Sequence, residues 1–296
     1  MSFKKIKTDF LISVAKIIAM FPLDAILKIG ASIGYLTWLI PNKRKKIATR
    51  NIVLCFPDLS NKHQRSLVKE NLISTGIGFA EMIISFWSKT DKFIHRFDFE
   101  GLEYVESALK RNKGCILLSC HIHSIELASR AINTQLNNPA FILGRQHNNK
   151  IFETHVDNAR RKHCEKTIDK KDLRSVLKAF KENRFIFYIP DQNFSYHCEY
   201  IDFFKQPAAT VIAPVKISQT SQAAVVPWFC FREKNKWKIQ FHPPLDYFYT
   251  EDMTCSLTRM NQLFEAQIKK YPEQYLWVHR RFKNHPKGKN YLYKDL

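Results

Sequence analysis

The chain reads as an α/β protein, an α/β/α sandwich preceded by an apolar helical segment, and three observations predict this. Apolar runs of strand length, such as Gly114 to Cys120 and Arg184 to Pro190, alternate with longer stretches of helical spacing. A hydrophobic share of 45% and an aromatic share of 13% exclude a disordered chain, and 296 residues leave room for one large domain with an accessory helical region. Residues 1–41 differ in character from everything that follows.

That first segment is rich in Ile, Leu, Phe and Ala between Phe10 and Ile40, interrupted by Lys16, Pro22, Asp24 and Lys28. Its charge-free stretches, Ile17 to Leu23 and Ile29 to Ile40, fall short of the roughly 20 apolar residues that a spanning helix needs. No small-residue cleavage site of the signal-peptide kind follows. The expectation is a membrane anchor over 1–41 that lies in the bilayer or dips into it; a buried pair of helices is the alternative. The basic run Lys43 to Lys46 comes directly after, marks the cytoplasmic side and favours anionic headgroups.

Residues 42–296 form the second unit. Lys43 to Trp87 is helical with a break at Phe56-Pro57-Asp58, and Asp58 or Ser60 is suited to cap the second piece. Leu102 to Lys113 is an amphipathic helix that feeds the Gly114 strand. Ala140 to Gly144 is a short strand, Asp169 to Asn183 a helix, and Arg184 to Pro190 a strand ending at Asp191-Gln192. Ala208 to Ser218 reads as a helix, Ala223 to Phe231 and Lys236 to Phe241 as a hairpin around Lys234-Asn235, and Met253 to Lys270 as a closing helix.

Charge and cysteine usage bound the partners. Forty-seven basic against 27 acidic residues leave a net charge of +20, which calls for anionic partners such as phospholipid, a phosphorylated substrate, an acidic carrier protein or nucleic acid. The seven cysteines are odd in number and contain no CxxC, as expected of free thiols in a reducing compartment.

The chemistry concentrates between Gly114 and Arg130. A strand, a turn and the opening of a helix place His121 in the turn and Glu126 in the first turns of the helix. On one continuous helix residues five apart would diverge by about 140°, so the two meet only if His121 precedes the helix. An imidazole with a carboxylate to orient it is a general base, able to deprotonate a hydroxyl as it attacks a carbonyl. A buried, hydrogen-bonded histidine is the plainer reading of the same pattern. A His121/His123/Glu126 metal site is the rival, without support from any other cluster of zinc spacing. Cys120 is adjacent to His121 and would point to the opposite face of a strand, which disfavours a direct pair.

Arg145 with Asn148 and Asn149 follows one predicted strand, and Asp191 with Gln192 follows another. All are expected at the sheet edge that holds His121, where open α/β sheets bind ligands. Arg145 suits bidentate capture of a phosphate or carboxylate. A second basic cluster, His279, Arg280, Arg281, Lys283, Lys287 and Lys289, adjoins Tyr275, Leu276 and Trp277. It suits a membrane interface, or a nucleic-acid surface as the runner-up.

Seven ordered motifs then match a family. They are Arg50-Asn51 with Leu54-Cys55-Phe56-Pro57, His121-x4-Glu126, Arg145 with His147-Asn148-Asn149, Asp169 to Leu173, Pro190-Asp191, Pro272 to Tyr275, and Trp277 with His279 to Lys283. Over essentially its whole length the chain resembles the late acyltransferases of lipid A biosynthesis, the Kdo-dependent lauroyl and myristoyl transferases of Gram-negative bacteria. Many acyltransferases of the wider glycerophosphate type carry Asp where Glu126 stands, and Glu is usual in the lipid A branch.

The resemblance implies a glycerophosphate-acyltransferase type of fold, an acyltransferase domain over 42–296 and a seat on the cytoplasmic face of the inner membrane. It implies acyl-acyl carrier protein as donor and a phosphorylated Kdo-lipid A precursor as acceptor, with no nucleic acid, no cofactor and no metal, a thioester being already activated. His121 would be the base and Glu126 its orienting acid. Arg145, Asn148, Asn149, Asp191 and Gln192 would contact substrate. Acylation of another lysophospholipid or glycolipid stays open, as does a non-catalytic basic protein of the membrane surface.

Overall fold

The computed structural model describes residues 3–144, 149–169, 172–246, 248 and 252–296. Strands β1 (Phe97–Glu100), β2 (Cys115–Leu118), β3 (Phe141–Gly144), β4 (Lys166–Asp169), β5 (Phe185–Tyr188), β8 (Ala224–Glu233) and β9 (Lys236–Phe241) make one sheet in the order β1-β9-β8-β2-β5-β3-β4. Pairings from β8 through β4 are all parallel; β9 turns antiparallel to β8 and carries β1 parallel to itself. Strands β6 (Cys198–Phe203) and β7 (Gln206–Val211) form a separate antiparallel pair.

The central strands are apolar throughout because both faces are covered. On one face Ile116 and Leu118 pack with α3 (Lys43–Cys55), the first half of α4 (Asn61–Trp87), α8 (Leu173–Lys181) and α10 (Met253–Lys270). On the other, Cys115 and Leu117 pack with α2 (Leu23–Leu39), the second half of α4, α5 (Leu102–Lys110) and α6 (Ile125–Leu136). Helix α4 thus serves both layers, and between them it lies against the turn after β2. A Cβ on Gly78 would come within 2.9 Å of the His123 Cβ. Ser60 caps α4, its hydroxyl accepting from the His63 N–H at 3.4 Å.

Two element assignments change. The segment expected as a helix from Ala208 is strand β7 up to Val211, with helix α9 at Ala213–Ser221. The stretch from Asp169 opens with the end of β4, and its helix starts at Leu173, where Asp172 caps Ser175.

Residues 3–39 form two helices, α1 (Phe3–Ile18) and α2. Helix α2 packs on α4 through Gly30, Gly34 and Gly76, and Asp24 pairs with Arg96 through both carboxylate oxygens, at 2.5 and 3.1 Å. The outward side is apolar: Phe10 is 65% exposed, and Ile6, Val14 and Ile17 share its helical face. Ile33, Leu36 and Leu39 of α2 and Phe79 of α4 are exposed as well. No single described helix is long and apolar enough to cross a membrane; α2 and α3 reach that length and composition only as a pair bent by 84°.

Candidate active site

Strand pairing builds the site. Strands β2 and β5 run parallel with Leu118 opposite Tyr188, an offset of 70 residues. Continued past both strand ends, the same offset sets His121 opposite Asp191. The Asp191 carboxylate meets the His121 ring at Nδ1 and accepts the His121 backbone N–H at 3.0 Å. It also accepts the Tyr275 hydroxyl at 2.8 Å. Burial alone would raise the Asp191 pKa, but the His121 charge and these hydrogen bonds bring it down to about 2. The Tyr275 hydroxyl, buried beside that carboxylate, is driven well above its usual range and stays a donor.

An ionised acid on Nδ1 leaves Nε2 as the basic nitrogen. Gln192 Nε2 lies 3.0 Å from it, and the ring is about one-quarter exposed. The site therefore holds an imidazole fixed at Nδ1, with Nε2 against the Gln192 amide and the ring partly exposed, an arrangement that general-base chemistry can use.

The turn is clamped from behind by the C-terminal segment. His123 N–H donates to Gln274 O at 2.9 Å, and Leu276 N–H donates to His121 O at 3.0 Å. Asn71 Nδ2 holds the carbonyls of Glu273 and Tyr275, and Asn51 Nδ2 those of Trp277 and His279. Beneath lies the fully buried Glu81, which accepts from Arg232 at 2.8 Å, Trp237 at 2.6 Å and Ser124 at 3.1 Å.

Several expectations need revising against this geometry. The carboxylate on His121 belongs to Asp191. Glu126 instead receives a bidentate pair from Arg160, Nε at 2.8 Å and Nη2 at 2.6 Å. The reason is local: Glu126 lies inside the first turn of α6, whereas Asp191 extends from the neighbouring strand at the level of the imidazole. Asn149 caps α7 (Lys150–Arg160) through Ile151 N–H and Phe152 N–H and donates to Thr8 Oγ1 at 3.1 Å. Arg145 and Asn148 lie outside the described residues. His123 is buried against Ser74 and Thr75, 2.7 and 3.1 Å away. Burial pushes the Cys120 thiol well above its ordinary pKa, and the Asp191 charge adds to this, so it is no nucleophile.

The C-terminal cluster is not a single surface. Arg281 is 2% exposed and donates to Ala209 O at 2.8 Å and Thr210 Oγ1 at 2.9 Å, while Tyr275 and Trp277 are buried. Sequence reasoning missed Tyr275 and Arg160. The only hint was that Tyr275 lies inside one of the matching motifs.

A profile of the bacterial lipid A biosynthesis acyltransferases matches residues 3–284. The chain belongs to this family. The acyltransferase is 29% identical over 287 residues to the lipid A biosynthesis lauroyltransferase of Escherichia coli K12, covering 94% of this chain and 91% of that protein. It is 28% identical over 276 residues to the E. coli K12 palmitoleoyltransferase, covering 92% and 89%. A lipid A biosynthesis acyltransferase of Haemophilus influenzae is 30% identical over 287 residues, covering 94% and 90%. The matched span contains all the residues of the candidate site, from Asn51 and Asn71 through His121 and Asp191 to Tyr275.

Proposed function

We propose that this acyltransferase moves a fatty acyl chain from acyl-acyl carrier protein to the 3-hydroxyl of an acyl chain on a phosphorylated Kdo-lipid A precursor. The observation that carries the reading is the Asp191 carboxylate on Nδ1 of His121, which leaves Nε2 as the base. Nε2 removes the hydroxyl proton in the place where the Gln192 amide now rests, and the oxygen attacks the thioester carbonyl carbon. The tetrahedral intermediate collapses, the C–S bond breaks, and the thiolate takes the proton back from the imidazolium. Asp191 keeps the ring's tautomer and stabilises its charged form.

Glu126 and Arg160 act as one ion pair tying α6 to α7. Arg145, Asn148 and Gln192 serve as substrate contacts. The acyl chain lies in an apolar cleft of about 480 Å³ lined by Leu173, Tyr188, Phe194, Tyr196, Val211 and Ala213. Tyr188 stands three residues before Asp191, at the end of β5. Each methylene placed there contributes about 0.8 kcal/mol. The net charge of +20 and the exposed apolar faces of α1 and α2 support a seat on the cytoplasmic face of the inner membrane, at the depth of the headgroups.

The test supplies labelled acyl-acyl carrier protein with a panel of acceptors. Label should pass to the Kdo-lipid A precursor, and His121→Ala should abolish transfer while the protein stays folded. Near-normal turnover of His121→Ala would defeat the mechanism, and preference for a lysophospholipid would reassign the acceptor.

A further inference from the structure

A polar cleft of about 630 Å³ opens between the loop after β5 and the C-terminal segment, with Asn193, Tyr200, Lys283, Asn284 and Lys289 among its walls. It begins one residue beyond Gln192, whose amide lies 3.0 Å from His121 Nε2. Its frame is cross-braced. Asn284 N–H donates to Asn193 Oδ1 at 2.8 Å, Asn284 Nδ2 to Phe194 O at 2.5 Å, and Asn290 N–H to Lys283 O at 2.6 Å. Gly288 has φ +114° and no atom within 4 Å of where a Cβ would stand, so backbone there leaves the cleft open.

Among the described residues the lining is rich in donors and holds no carboxylate. It offers two ammonium groups, amide nitrogens and the hydroxyls of Ser195, Tyr196 and Tyr200. Among the described residues neither Lys283 nor Lys289 is in an ion pair. The sheet lysines Lys236 and Lys238, by contrast, pair with Asp98 and Glu100. His285 supplies no third cation. Its ring stacks on Tyr291 at 5.0 Å, and its Nδ1 accepts the Lys287 N–H at 3.1 Å. Phe194 and Tyr196 also wall the apolar cleft, so one loop separates an anion-favouring pocket from a hydrocarbon-favouring one.

We propose that the Lys283/Lys289 cleft is a phosphate-binding subsite, holding a phosphate ester of a substrate whose hydrocarbon portion lies across the Phe194–Tyr196 wall. The placement beside His121 rests on the acyl-transfer reading above; the anion preference does not. The phosphate has two possible sources, the sugar phosphate of the acceptor and the phosphodiester of the donor's prosthetic arm. Either supplies the oxygen acceptors that two lysines, amides and hydroxyls recognise.

The experiment compares the full-length protein with Lys283→Gln/Lys289→Gln, Lys283→Arg/Lys289→Arg and, as control, Lys287→Gln, whose ammonium sits 5.5 Å from the Tyr291 ring centroid. Titration with inorganic pyrophosphate, followed by calorimetry, should show affinity about tenfold or more lower in the Gln pair, retained in the Arg pair and unchanged in the control. In turnover the Gln pair should raise KM for one phosphorylated substrate by about tenfold to a hundredfold, with the loss in KM rather than kcat. If the penalty vanishes with an acyl-pantetheine thioester lacking phosphate, the donor supplies the group. If it vanishes with a dephosphorylated acceptor, the acceptor does. Equal pyrophosphate binding in the parent and the Gln pair overturns the subsite. Weakened binding in an enzyme that transfers no acyl group would leave the subsite standing and remove the acyl-transfer reading instead.

Discussion

Asp191 holds three donors at once: the His121 ring nitrogen, the His121 backbone and the Tyr275 hydroxyl. A carboxylate so engaged fixes both where the imidazole stands and which nitrogen carries the proton. Asp191→Asn preserves the shape and removes the charge, and it can present its amide to Nδ1, which forces the wrong tautomer. We expect kcat to fall by on the order of 10²–10⁴ with little change in KM, by the logic of oriented general bases. Steady-state kinetics on labelled acyl donor would check it, and a loss below about threefold would show that the imidazole needs no acid at Nδ1. Glu126, five residues after His121 in sequence, cannot substitute because Arg160 already holds both its oxygens.

Helix α4 is the element on which the layers depend, since it packs into both cores and lies against the turn after β2. Its junction with α2 is set by glycine. A Cβ on Gly76 would collide with the Gly30 carbonyl and come within 2.6 Å of Gly34 N. Overpacking of this kind costs about 1–3 kcal/mol. The gain from replacing a helical glycine with alanine is only roughly 0.5–1 kcal/mol. Gly76→Ala should therefore lower the thermal midpoint, whereas a midpoint unchanged or raised would mean that α2 separates freely from α4.

The β6–β7 pair teaches a different lesson about elements. Its turn, Phe204-Lys205, has φ of +52° and +60°, a geometry usually signalled by Asn-Gly or Gly-Gly. Neither residue type is present, so nothing local announces a hairpin. Phe204 is instead held by long-range contacts, its ring against Phe56 at 5.2 Å and Trp277 at 5.7 Å and its N–H on Glu265 at 2.8 Å.

At the scale of the molecule, folding buries histidines that the unfolded chain would expose. Burial lowers the pKa of His163 and His279 from 6.5 to about 4, helped by neighbouring positive charges, and lowers that of His123 as well. Below pH 6.5 the unfolded chain binds protons on His163 and His279 that the folded chain refuses until about pH 4. Their stabilising contribution is thus complete above pH 6.5 and is lost as the pH falls from 6.5 towards 4. Asp191 extends the trend: its depressed pKa is a contribution present above pH 3.8 and lost on descent towards 2. The urea midpoint should be lower at pH 5 than at pH 7. Equal midpoints would mean that these rings are as accessible to protons in the folded state as in the unfolded one.

Period and composition alone were enough for the layered α/β class, most strands and helices, the break between α3 and α4, and the strand–turn–helix that carries His121. These are local properties: apolar runs of strand length, helical spacing, caps and the chemistry of one side chain. Only the tertiary structure decided which acid meets His121, that Glu126 pairs with Arg160, that Arg281 is buried, and that β6 and β7 form a hairpin. The physical reason is that each depends on strand register or on packing between segments far apart in the chain. The 70-residue offset that brings Asp191 beside His121 exists only once β2 and β5 are paired.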